Sequence, residues 1–94
     1  MQIQWSVAIK RKLRKQLAQL PKTVRASLVT LMKDIENYGP VRGNWPNYSR
    51  LSGNRHHCHL KKGQPTYVAV WEVKDMEIKL VEVIYAGTHE KASY

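Results

Sequence analysis

Thr23–Pro40 reads TVRASLVTLMKDIENYGP, and the reading of this stretch decides the fold. Val24, Leu28, Leu31, Ile35 and Tyr38 recur at spacings of four, three, four and three. That is one apolar stripe on a helix, so the spacing predicts a helix over Thr23–Tyr38 with one face against a core. Gly39-Pro40 ends it, because glycine accepts a left-handed cap and proline cannot continue the helix. After Gly39 the helical period is gone, so the rest of the chain must supply whatever the stripe packs on.

Upstream, Ile9, Leu13, Leu17 and Leu20 also fall at helical spacing. They predict a first helix over Ser6–Leu20 with Ser6 as N-cap, after a short β-like start at Met1–Trp5. Pro21 separates the two helices, and so short a link predicts an antiparallel hairpin. Lys10, Arg11, Lys12, Arg14 and Lys15 cover much of the remaining surface of the first helix. Such a cluster is an ordinary solvated face or a contact for phosphate or an acidic partner.

Downstream, Val41–Asn47 is loop, Tyr48–Leu51 a short strand and Ser52-Gly53-Asn54 a turn. Arg55–Lys61 follows as a strand and Lys62-Gly63-Gln64-Pro65 as a turn. Thr66–Val73 has high β-propensity, Lys74–Glu77 turns the chain, and Ile78–Tyr85 is a last strand. Helices followed by strands joined through tight turns give the class α+β: an N-terminal helical hairpin packed on a small antiparallel β-sheet, one domain over 1–94.

The chain has 94 residues, 16 Lys and Arg against 7 Asp and Glu, and a formal charge of +9. This excess favours anionic partners, RNA first among them. Cys58 is the single cysteine, so an internal disulfide is excluded and a reducing cytoplasm expected. No apolar run is long enough for a membrane span, and no export signal is read at the N-terminus. Trp5, Trp45 and Trp71 read as packing residues rather than base-stacking platforms, Trp45 least clearly.

The candidate chemistry lies in Arg55-His56-His57-Cys58-His59-Leu60 and Tyr85-Ala86-Gly87-Thr88-His89-Glu90, which hold all 4 histidines. Histidine is the natural proton carrier near neutral pH. Strand alternation places Arg55, His57 and His59 on one face and His56, Cys58 and Leu60 on the other. Cys58 and Leu60 are the residues to bury, which leaves the first set facing away from the core. His56 reads as an ordinary polar residue and Cys58 as a small core residue. His57, His59 and His89 also allow a zinc reading, but no carboxylate or second cysteine stands at ligand spacing.

Leu51-Ser52-Gly53, Arg55 before a polar strand, and Gly87-Thr88-His89-Glu90-Lys91 with a terminal Tyr94 are in the order found in the RelE/HigB superfamily of bacterial toxins. The chain resembles that family over almost its whole length. The resemblance implies the toxin half of a type II toxin–antitoxin pair that cleaves mRNA in the ribosomal A site. It implies no metal or other cofactor, with a 2′-hydroxyl of the RNA as nucleophile. The functional histidines of the YafQ branch match His59 and His89. In RelE, lysines match His57 and His59, an arginine matches His89, and an aromatic residue matches Tyr94 within one position. RelE also has an arginine roughly where Val68 stands here.

On that resemblance the catalytic set is His59, His89 and Tyr94, with either histidine as base and the other as acid. Arg55, His57 and Lys61 are expected to contact phosphate. Lys10, Arg11, Lys12, Arg14 and Lys15 are expected to dock on ribosomal RNA. The expected partners are a cognate acidic antitoxin, mRNA and the ribosome, with no membrane, in the bacterial cytoplasm. The alternatives are a non-catalytic ParE-like toxin that binds DNA gyrase, an RNA-binding module without activity, and a metal-dependent nuclease.

Overall fold

The structure is a computed structural model and describes residues 4–92. Strand β1 (Ser6–Ile9) leads into a short helix α1 (Leu13–Leu17), then the long helix α2 (Lys22–Tyr38). Strands β2 (Ser49–Arg50), β3 (Arg55–Lys61), β4 (Tyr67–Asp75) and β5 (Leu80–Thr88) follow, and a 3₁₀ turn covers His89–Lys91. Among the described residues the strands form one sheet in the order β1-β5-β4-β3-β2. The class is α+β.

Helix α2 is the one the stripe predicts. Val24, Leu28, Leu31 and Ile35 are buried, and they form one cluster with Cys58, Leu60, Ala69, Trp71, Val73, Val81, Val83 and Ala86 of the sheet. The helix stops at Gly39, whose φ is 96° and whose N–H donates to the Ile35 carbonyl at 2.8 Å. A Cβ at this position would stand 3.1 Å from Trp5 Nε1, so the backbone conformation and the close approach both call for glycine. Tyr38, expected on the buried stripe, is 68% exposed and lies under the Arg42 guanidinium instead. The stripe ends one turn before the helix does.

Ser6–Leu20 differs from expectation. Ser6–Ile9 is a strand, parallel to β5, with Ser6 opposite Leu80 and Ile9 opposite Val83. Ser6 therefore caps nothing; the residue before α1 is Lys12, which makes no side-chain cap bond. The sheet is mixed rather than antiparallel, and the helical hairpin is one long helix preceded by a single short one. Of the expected strand at Met1–Trp5, Met1–Ile3 lie outside the described residues and Gln4 and Trp5 are not in a strand. Ile9 serves both a period of two and a period near four, and the parallel pairing that selects the first is not local in sequence.

The β4–β5 turn falls two residues later than the sequence suggests. Met76–Lys79 make it, Asp75 Oδ1 accepts from the N–H groups of Glu77 and Ile78, and Ile78 is 66% exposed rather than the first residue of a strand. Strand β5 accordingly runs through Gly87 and Thr88. Opposite Val70 and Trp71 it accommodates Ile84 as an extra residue, so Tyr85 pairs with Val70 and Val83 with Trp71.

Candidate functional site

The faces of β3 fall as the alternation predicts. His56, Cys58 and Leu60 are buried on the helix side, while His57 and His59 are half-buried on the other. Cross-strand pairs extend that outer face: His57 stands opposite Val70, which stands opposite Tyr85, and His59 opposite Val68, which stands opposite Gly87. Val68 and Val70 are buried but do not belong to the helix-side core. They are the apolar floor of the histidine face.

His59 is anchored by its own backbone. Its N–H donates to the Pro46 carbonyl at 2.8 Å, from the loop that continues the sheet beyond the short β2. The ladder to β4 is irregular between His59 and Lys61, which leaves Leu60 buried and Lys61 exposed. His89 is held from the other direction. The chain leaves β5 at Thr88, and the N–H of His89 donates to the Thr66 carbonyl at 2.8 Å.

The His59 and His89 rings lie with centroids 5.8 Å apart, edge to face at 75°. The two do not meet across adjacent strands, because β4 separates β3 from β5. His89 belongs to the 3₁₀ turn, which folds back at the start of β4 and so meets His59. His57 extends the row, with its ring centroid 6.2 Å from that of His59. Ser49 Oγ lies 2.8 Å from His57 Nδ1.

These rings have different surroundings. Burial pushes His59 below the ordinary imidazole pKa of 6.5, and the nearby charges of His57, His89 and Lys62 push it the same way. Its Nδ1 is buried with no hydrogen-bond partner among the described residues. His57 is also lowered, first by burial and further by His89, against an opposing effect of its hydrogen bond at Ser49. Cys58 is different again: burial pushes its thiol up to about 12, which makes it an inert core group.

A cleft of about 670 Å³ opens beside the pair, lined by His59, Gly63, Gln64, Pro65, Thr66, His89 and Glu90. In the sequence Lys62–Pro65 reads as a plain turn and nothing singles out Thr66, while Glu90 appears only as the neighbour of His89 in the Gly87–Lys91 motif. The one signal for the turn residues is position, since the β3–β4 turn begins directly after the histidine strand. A second depression, smaller at about 240 Å³, is lined by Lys10, Arg55, Val70, Ile84, Tyr85 and Lys91. It gathers three cations over an apolar and aromatic floor, and it is where Arg55 lies rather than in the His59 cleft. Arg55 Nε also pairs with Glu72 Oε2 at 3.3 Å.

The basic cluster is split by the fold. Lys10 follows β1, with its N–H on the Val83 carbonyl, and faces the second depression. Arg11 and Lys12 are in the turn before α1, and only Arg14 and Lys15 are on that helix. All five are exposed. Tyr94 lies outside the described residues. Trp71 is buried, with Nε1 donating to the Pro40 carbonyl at 2.9 Å, and half-buried Trp45 donates to Asp34 Oδ2 at the same distance.

Among the described residues, no group of three or more His, Cys, Asp or Glu is arranged to hold a metal ion, and no helix is long and apolar enough to cross a membrane. No protein-family profile and no curated protein matches the chain. Solved structures do. A double arginine-to-alanine mutant of E. coli toxin RelE in the free state aligns with a TM-score of 0.73 at 20% identity, over 95% of this chain and 87% of that one. The archaeal RelE–RelB complex from Pyrococcus horikoshii gives 0.67 at 18% identity, over 95% and 99%. The YoeB dimer from Staphylococcus aureus gives 0.65 at 15%, over 92% and 98%. Agreement over nearly the whole length of each chain makes the fold common property: this protein folds as the RelE and YoeB toxins do.

Proposed function

We propose that this protein is the toxin of a bacterial type II toxin–antitoxin pair and an endoribonuclease that cleaves mRNA in the ribosomal A site. The observation that carries the reading is the His59–His89 pair, edge to face at 5.8 Å beside an open cleft on a cationic surface. Two imidazoles so placed can reach two oxygens of one phosphodiester, which is what cleavage through a neighbouring 2′-hydroxyl requires.

His59 suits the base. Burial and its cationic neighbours favour the neutral ring, which takes the 2′-hydroxyl proton as that oxygen bonds to phosphorus. His89, protonated, gives its proton to the 5′-oxygen as the P–O bond breaks. The products are a 2′,3′-cyclic phosphate and a 5′-hydroxyl. The charge gathered on phosphorus in between is met by the residues proposed for phosphate contact: the cations Lys61, exposed at the end of β3, and Arg55 in the neighbouring depression, with His57, the ring beside His59, as a hydrogen-bonding group. Tyr94 is the proposed stacking or proton-donating aromatic residue.

So sparse a catalytic set depends on a substrate held in place, and the ribosome supplies that by fixing the path of the message. Lys10, Arg11, Lys12, Arg14 and Lys15 are the proposed docking residues for ribosomal RNA. The neutralising partner is an acidic antitoxin; the Pyrococcus horikoshii relative was solved as a complex with RelB.

Toe-print mapping of mRNA on stalled ribosomes tests the reading. The wild-type protein is expected to cut in the A-site codon with and without chelator, and His89→Gln to leave the message intact. Full cleavage by His89→Gln removes the catalytic assignment. Gyrase inhibition without mRNA cleavage removes the nuclease.

A further inference from the structure

His89 stands in a 3₁₀ turn of three residues whose own closing bond, from the Ala92 N–H to the His89 carbonyl, is 3.2 Å long. A turn that short does not fix the direction of an exposed ring by itself. The peptide that joins Thr88 to His89 is nevertheless held at both ends. Its nitrogen donates to the Thr66 carbonyl, and its oxygen accepts from the Tyr85 hydroxyl at 2.7 Å.

Tyr85 reaches that oxygen by lying along β5 over Gly87. A Cβ at position 87 would come within 2.7 Å of the Tyr85 hydroxyl oxygen and 3.0 Å of the carbon that bears it. Gly87 therefore leaves the lane through which the phenol passes. Burial raises the pKa of the half-buried phenol, and its hydrogen bond to Thr88 opposes this. The hydroxyl remains a donor throughout the range in which histidines titrate.

We propose that Tyr85 is a positioning residue for His89: laid across Gly87 onto the Thr88 carbonyl, its hydroxyl holds the last peptide of β5 so that the His89 ring faces His59. The inference rests on the acid–base reading of that pair. Tyr85 does not touch the reacting atoms on this account. It acts through the backbone that carries His89, and misplacement of a catalytic group by about 1 Å costs on the order of a hundredfold in rate.

Tyr85→Phe keeps the ring and removes the bond. Gly87→Ala keeps the phenol and obstructs its lane. Each is expected to lower kcat for ribosome-dependent cleavage by about ten- to a hundredfold with KM unchanged, and the double variant to lose no more than either alone. In parallel, His59 is titrated by NMR through its ring protons. Because His89 helps to depress His59, loosening His89 raises the His59 midpoint in both variants, whereas a purely structural Tyr85 would leave that midpoint where it is. Wild-type kcat together with an unmoved midpoint in a folded Tyr85→Phe protein overturns the proposal, and so do additive losses in the double variant. If the wild-type protein cleaves nothing, the nuclease reading falls by itself. The His59 midpoint then still decides whether Tyr85 positions His89: a rise supports it and no change overturns it.

Discussion

On the inner face of β3, His56 is sealed between Tyr48 and Trp71, whereas on the outer face His57 and His59 open toward the cleft. The Tyr48 hydroxyl lies 2.6 Å from His56 Nδ1, and the imidazole stacks on the Trp71 indole with an interplanar angle of 7°. Burial, with the added charge of Arg50, pushes the His56 pKa down. His59, three residues along, has no such enclosure and meets His89 instead. The two residues share a side chain, a strand and a direction of pKa shift, yet one serves the core and the other faces the open cleft. Strand parity and the element covering each face decide which, so residue type alone says little about role.

The comparison breaks most visibly in paired variants. His59→Gln is expected to cut mRNA cleavage by about 10²–10⁴-fold, as removal of an acid–base group does, and to leave the melting temperature nearly unchanged. His56→Ala should do the reverse. It opens a cavity against Trp71 and strips Tyr48 of its partner, a loss of roughly 2–4 kcal/mol read by denaturant unfolding, with cleavage per folded molecule retained. A folded His56→Ala protein as inactive as His59→Gln would erase the distinction.

Acid sharpens it next. His56, His57 and His59 are all depressed in the folded protein, so the unfolded chain binds protons more readily near the ordinary value of 6.5. Their stabilising contribution is complete above that pH and is lost as pH falls through it toward the folded values, with a slope of at most about 1.4 kcal/mol per pH unit for each proton taken up. Unfolding measured between pH 7 and 5 should therefore show stability falling with acid, less steeply in a variant that lacks His56. An unchanged slope in His56→Ala would mean that the enclosed ring does not resist protonation.

Charge removal comes third. Replacing Arg14 and Lys15 by Gln on α1 should flatten the salt dependence of ribosome binding by about one unit of logarithmic slope for each phosphate left without its cation, with the fold intact. An identical slope would take α1 out of the docking face. The smallest effect is expected at Ile78, where Ile78→Thr should change stability by less than about 0.5 kcal/mol. A drop as large as that of a core residue would show that the exposed β4–β5 turn carries packing.

Legibility in the sequence follows the locality of the forces. Helix α2 is readable because its stripe and its Gly39-Pro40 stop are both local. The burial of Cys58 and Leu60 is readable because alternation needs no partner, and it carries His56 inward too, although His56 alone looks like a surface residue. Ser6–Leu20 misleads because Ile9, Leu13, Leu17 and Leu20 keep helical spacing across a strand, a turn and a helix. Only the distant β5 selects the strand. The meeting of His59 with His89 comes from the family resemblance, and its route past the start of β4 comes from the fold in three dimensions. Tyr85 carries no sequence signal as a positioning group, because its role depends on what Gly87 leaves empty.

The parallel pairing of β1 with β5 has a consequence for how the protein is made. Among the described residues these are the first and last strands in chain order. The sheet therefore cannot close while β5 is still being synthesised or is hidden in the exit tunnel. The turn that carries His89 follows β5 directly and emerges later still. A half-made molecule holds His59 without its counterpart, so the two imidazoles stay apart for as long as the tunnel keeps that turn.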